Sequence, residues 1–181
     1  MQAYTKPLVL IVDDDQYSVS SVVNQLVDLG CEVYLALSLD QAITFLEKYG
    51  VHIDIAILDI MIPDGEFFKA FETKGGFYSG VTLGRHISLN WPNIQLIAYS
   101  VLANEQEVKD FFESRFLGGV CKSEQKRLIN KVAKELGLAH SFDFEVKRRL
   151  NKVLVVLSGV ATLIAIIVFF TGYSSIYEIF S

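Results

Sequence analysis

The chain predicts an α/β fold, with a five-stranded parallel sheet covered by helices and a separate apolar helix near the C-terminus. Three observations predict it. Short apolar runs alternate with helix-length amphipathic runs through residues 1–140. Several of those runs end abruptly in a carboxylate, a hydroxyl or an amine. Residues 153–173 then form an uninterrupted stretch of 21 residues without a charge.

"PLVLIV" (7–12) reads as a fully buried strand. In residues 16–29, Val19, Val22, Val23, Leu26 and Leu29 recur at helical spacing, and Gly30 stops the turn. "CEVYLAL" (31–37) is a second strand. "SLDQAITFLEKYG" (38–50) is a helix with Ser38 as N-cap, Gln41 three residues on and Gly50 at its end. "IDIAILDIM" (53–61) is a third strand. "TLGRHISLNW" (82–91) is a helix that stops before Pro92. "IQLIAYS" (94–100) and "GGVCK" (118–122) are strands, separated by the helix "NEQEVKDFFESR" (104–115). "SEQKRLINKVAKELGL" (123–138) is the last helix of the unit. Five βα units in this length match the flavodoxin-like doubly wound arrangement, whose ligand sites lie beyond the carboxyl ends of the strands.

Composition narrows the function. The net charge of −5 and pI near 5.2 argue against a general nucleic-acid binder, which carries a basic face. Cys31 and Cys121 lie far apart and read as free thiols in a reducing compartment. His52, His86 and His140 are too scattered for a zinc motif. Charge also shifts along the chain. Residues 1–140 hold 12 Lys and Arg against 18 Asp and Glu, whereas residues 141–181 hold 4 against 3, which places a boundary near 140.

The strand ends carry the chemistry. The first strand ends in Asp13, Asp14 and Asp15, the third in Asp59, the fourth in Ser100 and the fifth in Lys122. Adjacent carboxylates repel unless water screens them or a cation sits among them. Mg²⁺ prefers oxygen ligands, so Asp13 and Asp14 are expected to hold it with Asp59 as a third ligand. Asp59 is then placed to attack phosphorus and form an aspartyl phosphate. Lys122 supplies a compact positive charge, and Ser100 a hydrogen bond to a phosphoryl oxygen. Asp15 is expected to be solvated.

These residues resemble the receiver domain of two-component response regulators. "VLIVDDDQ" is similar to that family's first strand and acidic pair. "DIAILDIMIPDG" (54–65) resembles its phosphoacceptor segment, including the proline and the Asp-Gly after it. "LIAYS" and "GGVCK" resemble the strands that carry its hydroxyl and its lysine, which here lie 22 residues apart. The resemblance covers roughly residues 6–138. It implies phosphorylation of Asp59, Mg²⁺ on Asp13, Asp14, Asp59 and the Met61 main-chain carbonyl, and a switch formed by Ser100 and Lys122. The phosphoryl group would come from a histidine kinase or a phosphotransfer protein, and the only chemistry implied is Mg²⁺-dependent self-phosphorylation and dephosphorylation. Three positions depart from the pattern: Ser123 replaces the proline after the lysine, Gly119 the switch aromatic, and Val101 a smaller residue. Residues 66–80 read as an insertion bearing Phe67, Phe68, Phe71, Phe77 and Tyr78, which either pack on the domain or form a docking patch.

The segment 153–173 spans about 31 Å as a helix, close to the thickness of a bilayer core. Lys147, Arg148, Arg149 and Lys152 precede it, and Glu178 is the charge that follows. The positive-inside rule then puts the receiver-like unit in the cytoplasm, on the inner membrane. The expected organisation is a domain over 1–140, a basic connector over 141–152, a membrane span over 153–173 and a short outer tail over 174–181. The leading expectation is a membrane-anchored single-domain response regulator that signals through an unidentified output protein rather than DNA. A receiver-like scaffold without phosphate control is the alternative. A haloacid-dehalogenase-type phosphatase using Asp13 and Asp15 is a remote one, because Tyr17 and the lack of an acidic pair after Lys122 fit it badly.

Overall fold

A computed structural model of the chain describes residues 6–63, 65–66 and 78–138. The strands are β1 (Leu8–Val12), β2 (Glu32–Ala36), β3 (Ile53–Leu58), β4 (Gln95–Tyr99) and β5 (Gly119–Val120). The helices are α1 (Gln16–Asp28), α2 (Leu39–Tyr49), α3 (Ser79–Asn90), α4 (Gln106–Arg115) and α5 (Gln125–Glu135). All strand pairs are parallel, in the order β2-β1-β3-β4-β5. This is the flavodoxin-like arrangement that the alternation predicts. The chain steps from β1 outward to β2 and returns to β3 on the other side, so the strand order reverses between β1 and β3.

Alternation along each strand builds two cores. Val9, Ile11, Ile55, Ile57, Ile97 and Tyr99 face α1 and α5, where Val19, Val22, Leu26, Leu128, Ile129 and Val132 meet them. Leu10, Val12, Ala56, Leu58, Leu96 and Ala98 face the opposite way, onto buried residues of α2, α3 and α4. The central strands are buried on both faces, which is why they read as near-continuous apolar runs.

Local chemistry fixes the helix ends. Ser38 caps α2 by accepting the Gln41 amide at 3.2 Å, and the Gln41 side chain accepts the Leu37 amide at 2.8 Å. Gly30, at φ 94°, turns the chain from α1 into β2. Both cysteines are free.

Several boundaries differ from expectation. The helix expected from residue 82 begins at Ser79, so two residues assigned to the insertion belong to α3. Of the insertion's aromatic residues, Tyr78 is described and packs against the second of these cores, while 67–77 lie outside the described residues. The strand expected over 118–122 keeps only Gly119 and Val120, because Lys122–Glu124 turn into a short 3-10 helix. The connector 141–152, the span 153–173 and the tail also lie outside the described residues. Among the described residues, no helix is long and apolar enough to cross a membrane.

Candidate functional site

The carboxyl ends of β1 and β3 lie side by side at the strand-order reversal. The sheet ladder carries on into the acidic residues there: Asp59 N donates to Val12 O at 2.9 Å, and Asp13 N to Ala36 O at 3.1 Å. That backbone continuity leaves Asp13 and Asp59 almost inaccessible, at 1% and 6% exposure. Asp14 follows on the exposed side. Carboxylate oxygens of Asp13, Asp14 and Asp59 lie within 4.8 Å of one another.

Lys122 reaches this cluster from the end of β5. Its Nζ lies 2.6 Å from Asp59 Oδ2 and 2.8 Å from Asp13 Oδ2. The other oxygen of Asp59 accepts the Ile60 amide at 2.6 Å and the Met61 amide at 3.3 Å. Asp13 Oδ1 accepts the Asp15 amide at 3.0 Å. Burial pushes the Asp13 pKa up, and the neighbouring Asp59 charge adds to this against the opposing hydrogen bond from Lys122. Burial alone would lower the Lys122 pKa, yet its hydrogen bonds and charge pairing with Asp13 and Asp59 win, so the pKa is raised. The site is therefore a desolvated acidic pair bridged by one ammonium, with a third carboxylate open to water.

The structure thus brings together four of the predicted residues: Asp13, Asp14, Asp59 and Lys122. Met61 joins through its amide. Ser100 is fully buried at the end of β4, and its hydroxyl oxygen accepts the Leu102 amide at 3.3 Å, within its own turn. Val101 is 64% exposed at the same edge. Asp15 is exposed to solvent, as expected, and has a structural role besides. Its carboxylate caps α1, accepting the amides of Tyr17 at 3.0 Å and Ser18 at 3.3 Å. The Lys122–Ser123 peptide is trans, and Lys122–Glu124 form a tight turn closed by the Glu124 amide on Cys121 O at 2.8 Å. At Gly119, a Cβ would come within 2.8 Å of the Ala103 carbonyl oxygen, so the β4–α4 turn fills the space beside β5.

Two supporting residues escaped the sequence. Ser79 is fully buried and its hydroxyl donates to Ile62 O at 2.5 Å while accepting the Ile62 amide at 3.1 Å. Gly80 donates its amide to Ile60 O at 3.1 Å. A Cβ on Gly80 would overlap the Asp59 carbonyl oxygen and lie 2.8 Å from the Ile60 Cα. The glycine seated against the Asp59 loop is therefore Gly80. Gly65 instead faces the Asp40 carboxylate on α2. The signal was a Ser-Gly pair opening an amphipathic run, hidden by the residues between Pro63 and Tyr78.

Comparison with known proteins agrees with this fold. A response regulator from Thermotoga maritima aligns with a TM-score of 0.57 at 20% identity, over 74% of this chain and 99% of that one. A CheY-like receiver domain protein from Methanospirillum hungatei aligns with a TM-score of 0.58 at 21% identity, over 74% and 95%. A CheX–CheY complex with BeF₃ and Mg²⁺ from Borrelia burgdorferi aligns with a TM-score of 0.57 at 24% identity, over 71% and 87%. No curated protein sequence matches the chain. The sequence pattern of the response regulator receiver domain matches residues 9–134, well over half the chain, and with the buried acids and bridging lysine in place the chain belongs to that family.

Proposed function

We propose that this chain is a membrane-anchored response regulator that takes a phosphoryl group onto Asp59 from a phosphohistidine of a histidine kinase or phosphotransfer protein. The observation that carries this reading is the ammonium of Lys122, held 2.6 Å from Asp59 and 2.8 Å from Asp13 beside the exposed Asp14. A carboxylate oxygen of Asp59 attacks phosphorus. The new P–O bond forms as the P–N bond to the imidazole breaks, and the ring leaves with the electron pair. Lys122 then pairs with a phosphoryl oxygen, and the Ser100 hydroxyl donates to another. Hydrolysis of the acyl phosphate by water restores the Asp59 carboxylate.

The donor set suits Mg²⁺, since three carboxylates cluster within 4.8 Å and one of them is open to water. Asp13, Asp14, Asp59 and the Met61 carbonyl would hold the ion, which when bound neutralises charge between the carboxylates and the phosphoryl oxygens. Residues 153–173 would anchor the chain, and the basic residues 147–152 would meet anionic headgroups on the cytoplasmic side.

Labelling the full chain with acetyl phosphate and Mg²⁺ tests the site. Wild type takes up phosphate that hydroxylamine and base release, as an acyl phosphate requires, and Asp59→Asn takes up none; a wild type that stays unlabelled refutes the reading. Retention in membranes after alkaline carbonate washing tests the anchor. One observation favours a second reading, a scaffold that ignores phosphate. Gly119 carries no side chain to relay a change at Ser100, and Ala103 packs directly on it. Asp59→Asn cells indistinguishable from wild type would support the scaffold.

A further inference from the structure

We propose that the Tyr99 hydroxyl is a positioning residue for this site, acting by tethering the main chain of Lys122. The inference rests on the phosphoryl-accepting reading of Asp59. Tyr99 is the last residue of β4, 2% exposed, and its ring lies in the core under α1 and α5. Its apolar neighbours in that core would fill the same space without a hydroxyl to satisfy. The hydroxyl donates to the Lys122 carbonyl at 3.0 Å, across 23 residues of sequence.

That carbonyl needs a tether. The β4–β5 register ends at Tyr99↔Val120, and the last main-chain bond between the two strands is Ser100 N to Val120 O at 3.2 Å. Lys122 lies beyond the ladder, and Ser123 follows it, so no proline ring fixes the backbone there. A lysine side chain has four rotatable bonds, yet its Nζ must sit within hydrogen-bond range of two different carboxylates. Small displacements of a charged group cost a large part of its effect on a developing charge. The tyrosine thus holds the root of the side chain from the opposite face of the sheet to Ser100. Burial raises the Tyr99 pKa, so the hydroxyl remains a donor at neutral pH.

The test is a double-mutant cycle in the full-length chain, using Tyr99→Phe, Lys122→Met and the pair. Two readouts are the rate of acetyl phosphate labelling and the affinity for beryllofluoride with Mg²⁺, followed by fluorine NMR. Tyr99→Phe keeps the ring and should lower both rate and affinity by roughly 2- to 10-fold, the range for one neutral hydrogen bond. In the Lys122→Met background the same change should have no further effect on affinity. Equal fractional effects in the two backgrounds would show a general structural role and overturn the proposal, as would an unaltered Tyr99→Phe. A wild type that neither labels nor binds beryllofluoride overturns the reading of Asp59 as well. A wild type that does both while Tyr99→Phe matches it overturns the tether alone.

Discussion

Replacing Lys122 with methionine removes the ammonium and keeps much of the apolar stem. In wild type that ammonium sits 2.6 Å from Asp59 and 2.8 Å from Asp13, whose side chains are 8% and 2% exposed. At an effective dielectric near 20, each contact is worth about 6 kcal/mol gross. Desolvation of all three groups cancels most of this, and breaking such a buried pair typically costs about 3–5 kcal/mol. Lys122 itself keeps 22% exposure, which favours the lower end, so Lys122→Met should lose about 3 kcal/mol in the presence of a chelator. Urea unfolding followed by the single tryptophan, Trp91, which packs against the core, measures this directly. Mg²⁺ should then restore more stability to the variant than to wild type, because one competing positive charge is gone. The pH dependence has a definite sign. A lysine with a raised pKa contributes stability that is fully present below its unfolded value, about 10.4, and is lost as pH rises through the folded one. Wild type should therefore weaken above pH ~10 relative to Lys122→Met. If the variant is as stable as wild type in chelator, or if Mg²⁺ stabilises both equally, the electrostatic account of this site is wrong.

Gly80→Ala should be among the most damaging small substitutions, since its Cβ overlaps the Asp59 carbonyl and the main chain must move. A stability loss of about 3 kcal/mol, with slower labelling, is expected, and differential scanning calorimetry checks it. Gly65→Ala meets a side chain rather than main chain, the Asp40 carboxylate at 2.6 Å, and should cost less than Gly80→Ala. Asp15→Ala should lose about 1 kcal/mol, the worth of an N-cap, while phosphate labelling continues. Labelling abolished in Asp15→Ala would mean that the acidic triplet works as a unit of three.

Much of the site was legible because each strand announces its own end. "LVLIV" must be buried, so the first charge after it marks the carboxyl edge of the sheet, and the same holds for "IAIL" before Asp59. Parallel topology then gathers those ends. What stayed hidden depends on distance through space rather than along the chain. Ser79 and Gly80 look like ordinary helix-start residues, and their contact with the Asp59 loop crosses about 20 residues of intervening sequence. Tyr99 reads as one more strand aromatic, since its hydroxyl's partner is a main-chain carbonyl, which leaves no trace in residue types. The capping role of Asp15 stayed hidden because an N-cap and a solvated carboxylate look alike until the helix start is known.

The surroundings of Ser100 limit how a phosphoryl group on Asp59 could be felt elsewhere. The Ser100 oxygen accepts from Leu102 N, which leaves its proton to donate toward a new anionic oxygen. Drawing the hydroxyl toward Asp59 would stretch that 3.3 Å bond, and the Leu102 amide would need another acceptor. The turn is held at its other side by Ala103 N on Ser100 O at 3.2 Å and by the packing of Ala103 on Gly119. With no side chain at Gly119 to swing, the element left to respond to a phosphoryl group would be the turn itself, between β4 and α4. Filling the Gly119 position separates the two outcomes. Gly119→Ala pushes on the Ala103 carbonyl and should shift this turn without touching Asp59, so backbone amide shifts of Leu102 and Ala103 should move while labelling by acetyl phosphate persists. If those amides stay fixed in both the variant and the beryllofluoride-bound wild type, the turn is not the moving part and phosphate would have to act by changing surface charge alone.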